Sequence, residues 1–205
     1  SRFIVADFSA IEARVLAWLA EEEWRLRFFR EGGDIYCASA SQMFHVPVEK
    51  HGLNSHLRQK GKISELALGY GGSIGALQAM GSQEMNIPDE ELKPLVDGWR
   101  KANPRIVQFW RSVGDAAMKA VRERTTVRAG KVTFCCKDGV LFAKLPSGRT
   151  LAYIAPRLET GRFGSTVITY QSYDKAEKAA DEEEEAPVTR RWQREETYGP
   201  KIVEN

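Results

Sequence analysis

The chain has 205 residues, 42% hydrophobic and 28% charged, with five Trp, nine Phe and six Tyr. That composition excludes a disordered or collagen-like chain and allows a sizeable core, in one domain or two small ones. Thirty Lys and Arg against 28 Asp and Glu leave a formal charge of +2, so only a local basic patch can argue for nucleic acid. No apolar run is long enough to cross a bilayer, and the opening SRFIVADFSA lacks the basic start and cleavage site of a signal peptide. The first residue is Ser1 rather than Met, as in a piece of something longer. Cys37, Cys135 and Cys136 fit neither a disulfide framework nor a zinc site and read as buried, inert thiols in a reducing compartment.

Phe3-Ile4-Val5-Ala6 reads as a short buried strand ending at Asp7. Ser9 and Glu12 fit a Ser-x-x-Glu capping box, with Ile11, Val15, Trp18 and Leu19 on one face of the helix that follows. The next hundred residues read as almost wholly helical. Asp34 caps a helix through Phe44, 47–54 is a loop, and a second helix runs from about Ser55 to Tyr70, stopped by Gly71-Gly72. Shorter helices follow at 74–80 and 89–101, then a long one from Pro104 to about Arg124. From Lys131 the pattern turns to strands, at 132–134, 140–145, 149–154 and 167–170, with a weaker one at 190–194. The acidic run Asp181–Glu185, within 175–187, reads as a solvated hairpin tip or loop. A last helix begins near Tyr198-Gly199-Pro200 and is cut off at Asn205.

Three residue groups bear on chemistry. Asp7, at a strand end, can hold a hard divalent cation through oxygen, helped by the Phe8 carbonyl; the plainer reading is that Asp7 and Glu12 only cap a helix. On the helix ending at Tyr70, Arg58, Gly61, Lys62, Glu65 and Gly69 share one arc, and Ile63, Leu66, Ala67 and Tyr70 another that can pack. The first arc is either a place where an anion approaches the backbone, with Arg and Lys suited to phosphate oxygens, or an exposed basic face with Glu65 in a local ion pair. His45, His51 and His56 have no metal-ligand spacing and read as surface residues. There is no Gly-x-Ser-x-Gly elbow and no phosphate-binding Gly-x-x-x-x-Gly-Lys loop, so neither a serine hydrolase nor a P-loop enzyme is supported.

Taken together, these segments resemble the polymerase domain of family A DNA polymerases, in particular the bacteriophage-type branch. ADFSAIEARVLAWLA resembles the first catalytic motif, through Asp7, Ser9, Ile11, Glu12 and Arg14. RQKGKISELALGYGGS resembles the fingers-helix motif, through Arg58, Lys62, Tyr70 and Gly71. Looser similarity runs through DIYCASASQMF and from LPSGRTLAY to ETYGPKIVEN.

The resemblance implies an α+β fold: an antiparallel palm sheet with a large helical fingers insertion. It divides the chain into palm at 1–30, fingers at 31–130, and palm strands with the start of the next palm helix at 131–205. It implies template-directed DNA synthesis with two Mg2+ ions, primer–template DNA and deoxynucleoside triphosphates as partners, in the cytoplasm of a bacterial cell or phage-infected host. Asp7 and the Phe8 carbonyl match metal ligands. Asp7 and Lys62 match catalytic residues. Ser9, Ile11, Glu12, Tyr36, Arg58, Lys62, Leu66 and Tyr70 match nucleotide-binding positions, with Glu12 excluding a ribose 2′-hydroxyl and Arg58 and Lys62 holding the triphosphate. Tyr70, Gly71, Ser73 and Asn205 match DNA-contacting positions. Leu66 stands where many relatives carry Phe or Tyr, and Tyr36 where many carry His. The sequence contains no His-Asp-Glu tripeptide, which in the family supplies the second catalytic aspartate. The expectation is therefore a truncated polymerase domain, inactive alone, with an apolar patch that favours self-association. Two other readings stand beside it: a single-subunit RNA polymerase, which Ile11 and Glu12 disfavour, and a non-catalytic nucleic-acid-binding remnant of a prophage polymerase.

Overall fold

The structure is a computed structural model that describes residues 3–81, 87–174 and 191–205. These form two compact units, one running to Arg111 together with Glu204, the other covering Ser112–Val203 and Asn205. Among the described residues there are eight α-helices and six strands. The fold is α+β, as expected. No helix among the described residues is long and apolar enough to cross a membrane.

The first unit is helical: α1 Ile11–Ala20, α2 Glu23–Arg30, α3 Ile35–Phe44, a 3-10 turn at Ser55–Leu57, α4 Arg58–Leu68, α5 Ile74–Ala79, α6 Asp89–Ala102 and the first part of α7, Pro104–Glu123. Three helix starts have a clear cause. Asp34 caps α3, its Oδ1 accepting from the Tyr36 and Cys37 amides at 3.0 and 3.3 Å. Asp89, Glu90 and Glu91 open α6 and Arg100 and Lys101 close it, complementing the helix dipole. α7 begins on Pro104, and its free Arg105 and Ile106 amides donate to Glu22 Oε2 at 2.9 and 3.3 Å. Glu22 is buried and acts as a cap brought from 83 residues upstream.

Two sequence expectations fail at the N-terminus. Phe3, Ile4 and Val5 are 92, 96 and 91% exposed, and none of residues 3–6 is in a strand. A strand exists only through its partners, and no described strand pairs with this run. The capping box fails as well: α1 starts one residue late, with Ala10 at its N-cap in the left-handed conformation (φ 50°) and no side-chain cap. Ser9 lies outside the helix, and its carbonyl accepts from Arg14 Nε at 2.9 Å.

The second unit is built on β1 Thr126–Ala129, β2 Val132–Lys137, β3 Val140–Lys144, β4 Thr150–Thr160, β5 Thr166–Asp174 and β6 Arg191–Thr197, followed by α8 Gly199–Glu204. The strands pair antiparallel in sequence order, so the sheet is a meander. Its β2–β3 hairpin turns on Asp138-Gly139, both at positive φ (51° and 75°), the conformation that matches the twist of flanking strands. β4 bulges between Ile154 and Arg157, with Ala155 at φ 48°. Arg194 Nη2 closes the bulge, donating to the Ala155 and Thr169 carbonyls at 3.0 Å each. Sequence patterning missed α2 and β1; the acidic run 181–185 lies outside the described residues.

Register separates the two sheet faces. One buries Phe134, Leu141, Ala143 and Tyr153, all 3% exposed or less. The other carries a row from Lys137 through Val140, Ile154 and Gln171 to Arg194. Beside it run Thr126, Cys135, Phe142 and Ala152, and on β5 and β6 the directly opposed pair Tyr173 and Trp192.

Candidate functional site

The site residues in the first unit are arranged around α4, and a buried ion pair fixes that helix. Arg25 grips Glu65 bidentately, Nη1 to Oε2 at 2.6 Å and Nη2 to Oε1 at 2.9 Å, with the side chains 1 and 3% exposed. Glu65 also accepts from Ser39 Oγ at 2.5 Å and Trp99 Nε1 at 2.9 Å. Arg25 Nε donates to Asn103 Oδ1 at 2.5 Å, and its guanidinium packs over the rings of Trp24 and Trp99, 5.1 and 5.2 Å from their centroids. One network thus ties α2, α3, α4, α6 and the start of α7. Trp110, stacked on Trp99 at 5.9 Å, donates from Nε1 to the Gly69 carbonyl at the end of α4.

This overturns the expected orientation of α4. Gly61 and Glu65 are on its buried face, with Ser64 and Leu68. A Cβ at Gly61 would overlap the Tyr36 carbonyl oxygen and stand 2.9 Å from the Ala40 amide nitrogen. The glycine therefore lets two helix backbones meet; it does not admit an anion. Glu65 is not in a local pair on a basic face, because its partner lies 40 residues away in the core.

Arg58 and Lys62 remain on one side of α4, one turn apart. Arg58 Nε donates to Asp34 Oδ2 at 2.8 Å, and its guanidinium lies 5.1 Å from the Tyr36 ring centroid. So Asp34 uses one oxygen to cap α3 and the other to aim Arg58. Lys62 is half-buried and makes no ion pair among the described residues.

A small cleft beside this pair is lined by Glu12, Tyr36, Leu66 and Tyr70, with Ala13, Leu16, Glu65 and Gly69. Four residues singled out from sequence, spread over 59 positions, thus share one wall-to-wall site. Burial, and next the Glu12 carboxylate, push the Tyr36 phenol up, against the opposing Arg58 charge. The same two causes push Tyr70 up to about 12. Both phenols are therefore neutral donors at ordinary pH.

Other expected residues lie outside the cleft. Asp7, Phe8 and Ser9 are exposed in the segment before α1, and Ile11 is 44% exposed on its first turn. Gly71 turns the chain after α4 at φ 78°, and Ser73 precedes α5. Asn205 belongs to the second unit, where its Nδ2 donates to Tyr153 Oη at 3.3 Å. The donors at Asp7 and Phe8, a carboxylate and a carbonyl, are the hard oxygens that Mg2+ takes. The described residues hold no group of three or more His, Cys, Asp or Glu suited to a metal. All three cysteines are free, Cys37 buried and the other two half-buried.

Sequence reasoning missed the network behind the site. Arg25 and Phe29, spaced i, i+4, are both buried on α2. That pairing of a cation with an aromatic on one helix face was the available signal.

The family model described as DNA polymerase family A matches residues 1–133. The chain is 52% identical to the DNA polymerase of Bacillus phage SP02 over an alignment of 207 residues, covering all of this chain and 30% of the phage protein. It is 36% identical over 103 residues to the thermostable DNA polymerase I of Thermus aquaticus, covering 50% of this chain and 12% of that protein. Among solved structures, it is 26% identical to the POL domain of Pol1 from M. smegmatis in complex with DNA primer-template and dNTP. That similarity covers 59% of this chain and 20% of the other, with a TM-score of 0.43. The chain spans less than a third of the length of each of these relatives.

Proposed function

This chain belongs to DNA polymerase family A, and we propose that it forms the part of a DNA-directed DNA polymerase that receives the incoming deoxynucleoside triphosphate. In this reading residues 1–30 and 131–205 belong to the palm and 31–130 to the fingers, and the enzyme works on primer–template DNA in a bacterial or phage-infected cytoplasm. The reading rests on one observation above all: α4 carries Arg58 and Lys62 one turn apart, beside a cleft that joins Glu12, Tyr36, Leu66 and Tyr70.

The reaction is attack of the primer 3′-hydroxyl on the α-phosphorus, with pyrophosphate leaving. Little covalent work falls to the protein, so positioning and charge stabilisation dominate. Lys62 presents a compact charge to the phosphate oxygens, and Arg58 a planar fork already aimed by Asp34. The Asp34 contact is made through Nε, so the guanidinium is held at one edge while it faces phosphate. Glu12 stands where a ribose 2′-hydroxyl would enter, and Leu66 supplies an aliphatic wall to the sugar. Tyr70 closes the far side of the cleft against the templating pair, with Gly71 and Ser73 following the strand and Asn205 touching DNA from the next helix. Asp7 and the Phe8 carbonyl would give two oxygens to Mg2+, which would supply neutralisation of phosphate charge and activation of the attacking hydroxyl.

A chimera tests this reading: the matched segment of the Bacillus phage SP02 polymerase is replaced by this chain. The expected result is template-directed primer extension with deoxynucleotides, abolished by Asp7→Asn. Extension that persists in the Asp7→Asn chimera would support the non-catalytic alternative for this segment.

A further inference from the structure

The open face of the six-stranded sheet is used by none of the roles above, and its chemistry is distinctive. Trp192 and Tyr173 are directly opposed on β6 and β5, 56 and 50% exposed, with ring centroids 5.1 Å apart and planes tilted by 58°. Phe142 lies on the same face of β3, half-buried. Cations flank the aromatics: Arg128 on β1, Lys137 on β2 and Lys144 on β3 are exposed and share this face by register. Among the described residues no carboxylate interrupts the face between Arg128 and the bulge in β4. Glu159 and Glu196 enter only beyond it, next to Arg157 and Thr169.

A folding core has no use for this arrangement. Exposing two large aromatics side by side leaves apolar surface in water. Arg128 and Lys144 make no ion pair among the described residues, while Lys137 is paired with Asp138 in the adjoining turn at 3.8 Å. A single nucleic-acid strand answers both: bases stack on aromatic faces regardless of sequence, and phosphates take the flanking cations. A duplex, whose bases are already stacked, answers only the second. We propose that this sheet face binds single-stranded DNA, with bases on Tyr173 and Trp192 and the backbone led across Lys144 and Arg128. That the strand is DNA rather than RNA rests on the family reading; the stacking surface does not.

The test is fluorescence anisotropy of the 205-residue chain with labelled oligothymidylate and oligouridylate, over a salt series. Trp192→Ala and Tyr173→Ala should each weaken oligothymidylate binding about fivefold to a hundredfold, the range for loss of one stacked base. Both side chains are at the surface, so the fold, followed by circular dichroism, should be kept. Lys144→Gln should lower the slope of log K against log salt by about 0.7, the value for one single-strand phosphate contact. Arg58→Ala with Lys62→Ala, which would disable the triphosphate site, should leave this binding unchanged, so the two readings fail separately. Unaltered affinity in both aromatic variants would overturn the proposal, and so would loss of binding in the Arg58/Lys62 variant alone. Tighter binding of oligouridylate would overturn the assignment to DNA.

Discussion

Arg25 and Glu65 meet as a fully buried bidentate pair, 2.6 and 2.9 Å, 40 residues apart in sequence. Glu65 lies on the buried face of α4, and it also accepts hydrogen bonds from Ser39 and Trp99. Removing one member of such a pair strands a buried charge, which costs about 3–5 kcal/mol. Glu65→Leu should therefore lower chain stability by that amount in urea titration, and Arg25→Met similarly. The double variant should cost less than the sum, because no charge is left unpaired. Additive losses would mean that the pair does not act as a unit.

Gly61 makes a second, independent prediction about the same helix. Gly61→Ala would normally stabilise a helix by about 1 kcal/mol. Here the added Cβ meets backbone atoms of Tyr36 and Ala40, which cannot step aside without moving α3. The variant should be destabilised by about 1–3 kcal/mol, the usual range for overpacking. A gain in melting temperature would show that α3 and α4 are not in contact there.

These two residues also show where sequence stops being legible. α3 and α4 were readable because caps, glycine stops and a 3.6-residue period are local. Asp34 signalled its helix, and the α4 termini fell within a few residues of expectation. Which side of α4 is buried was not readable. Gly61 and Glu65 look solvent-facing until Tyr36 and Arg25 are brought against them, and periodicity carries no information about that. The strand expected at residues 3–6 failed for the same reason, since an apolar run becomes a strand only through pairing. The β2–β3 and β3–β4 turns were legible from Gly139 and Gly148, but the β4 bulge depends on Arg194, 39 residues from Ala155. Of the candidate site, Glu12, Tyr36, Leu66 and Tyr70 line one cleft, while the network behind α4 was invisible.

Asp34 links helix capping to the aim of Arg58. Asp34→Ala removes an N-cap, worth about 1 kcal/mol of stability, and releases the guanidinium from its 2.8 Å contact. In the chimera the expected result is a higher KM for deoxynucleotide with primer–template affinity retained. Asp34→Asn keeps the cap and should restore most of the stability but not the aim of Arg58. If both variants kept the parent KM, Asp34 would be a cap and nothing more.

Tyr70 should be visible in an alkaline titration. Its phenol is pushed up to about 12, first by burial and then by Glu12, against about 10 for an unfolded tyrosine. Because the folded pKa is the higher one, the contribution to stability is complete below about pH 10 and is lost as pH rises towards 12. Tyr170 is pushed up to about 12 as well, by burial and then by its hydrogen bond with Glu195. Absorbance titration should therefore show Tyr70 and Tyr170 among the late phenols, and Tyr70→Phe should remove one of them. Glu12→Gln should bring the Tyr70 midpoint down. A Tyr70 phenol ionising near 10 would mean that the cleft is open to water.

The most direct test of the central claim is single-nucleotide incorporation by the chimera as a function of deoxynucleotide concentration, with Lys62→Ala and Arg58→Ala compared with the parent. Each side chain is assigned a charge-assisted contact to phosphate, worth about 1.5–3 kcal/mol. The account predicts at least about a tenfold loss in kcat/KM for each variant, with primer–template affinity unchanged, since 1.4 kcal/mol is tenfold. Parent kinetics in both variants would contradict it, and α4 would then be a packing helix rather than the triphosphate-binding arm.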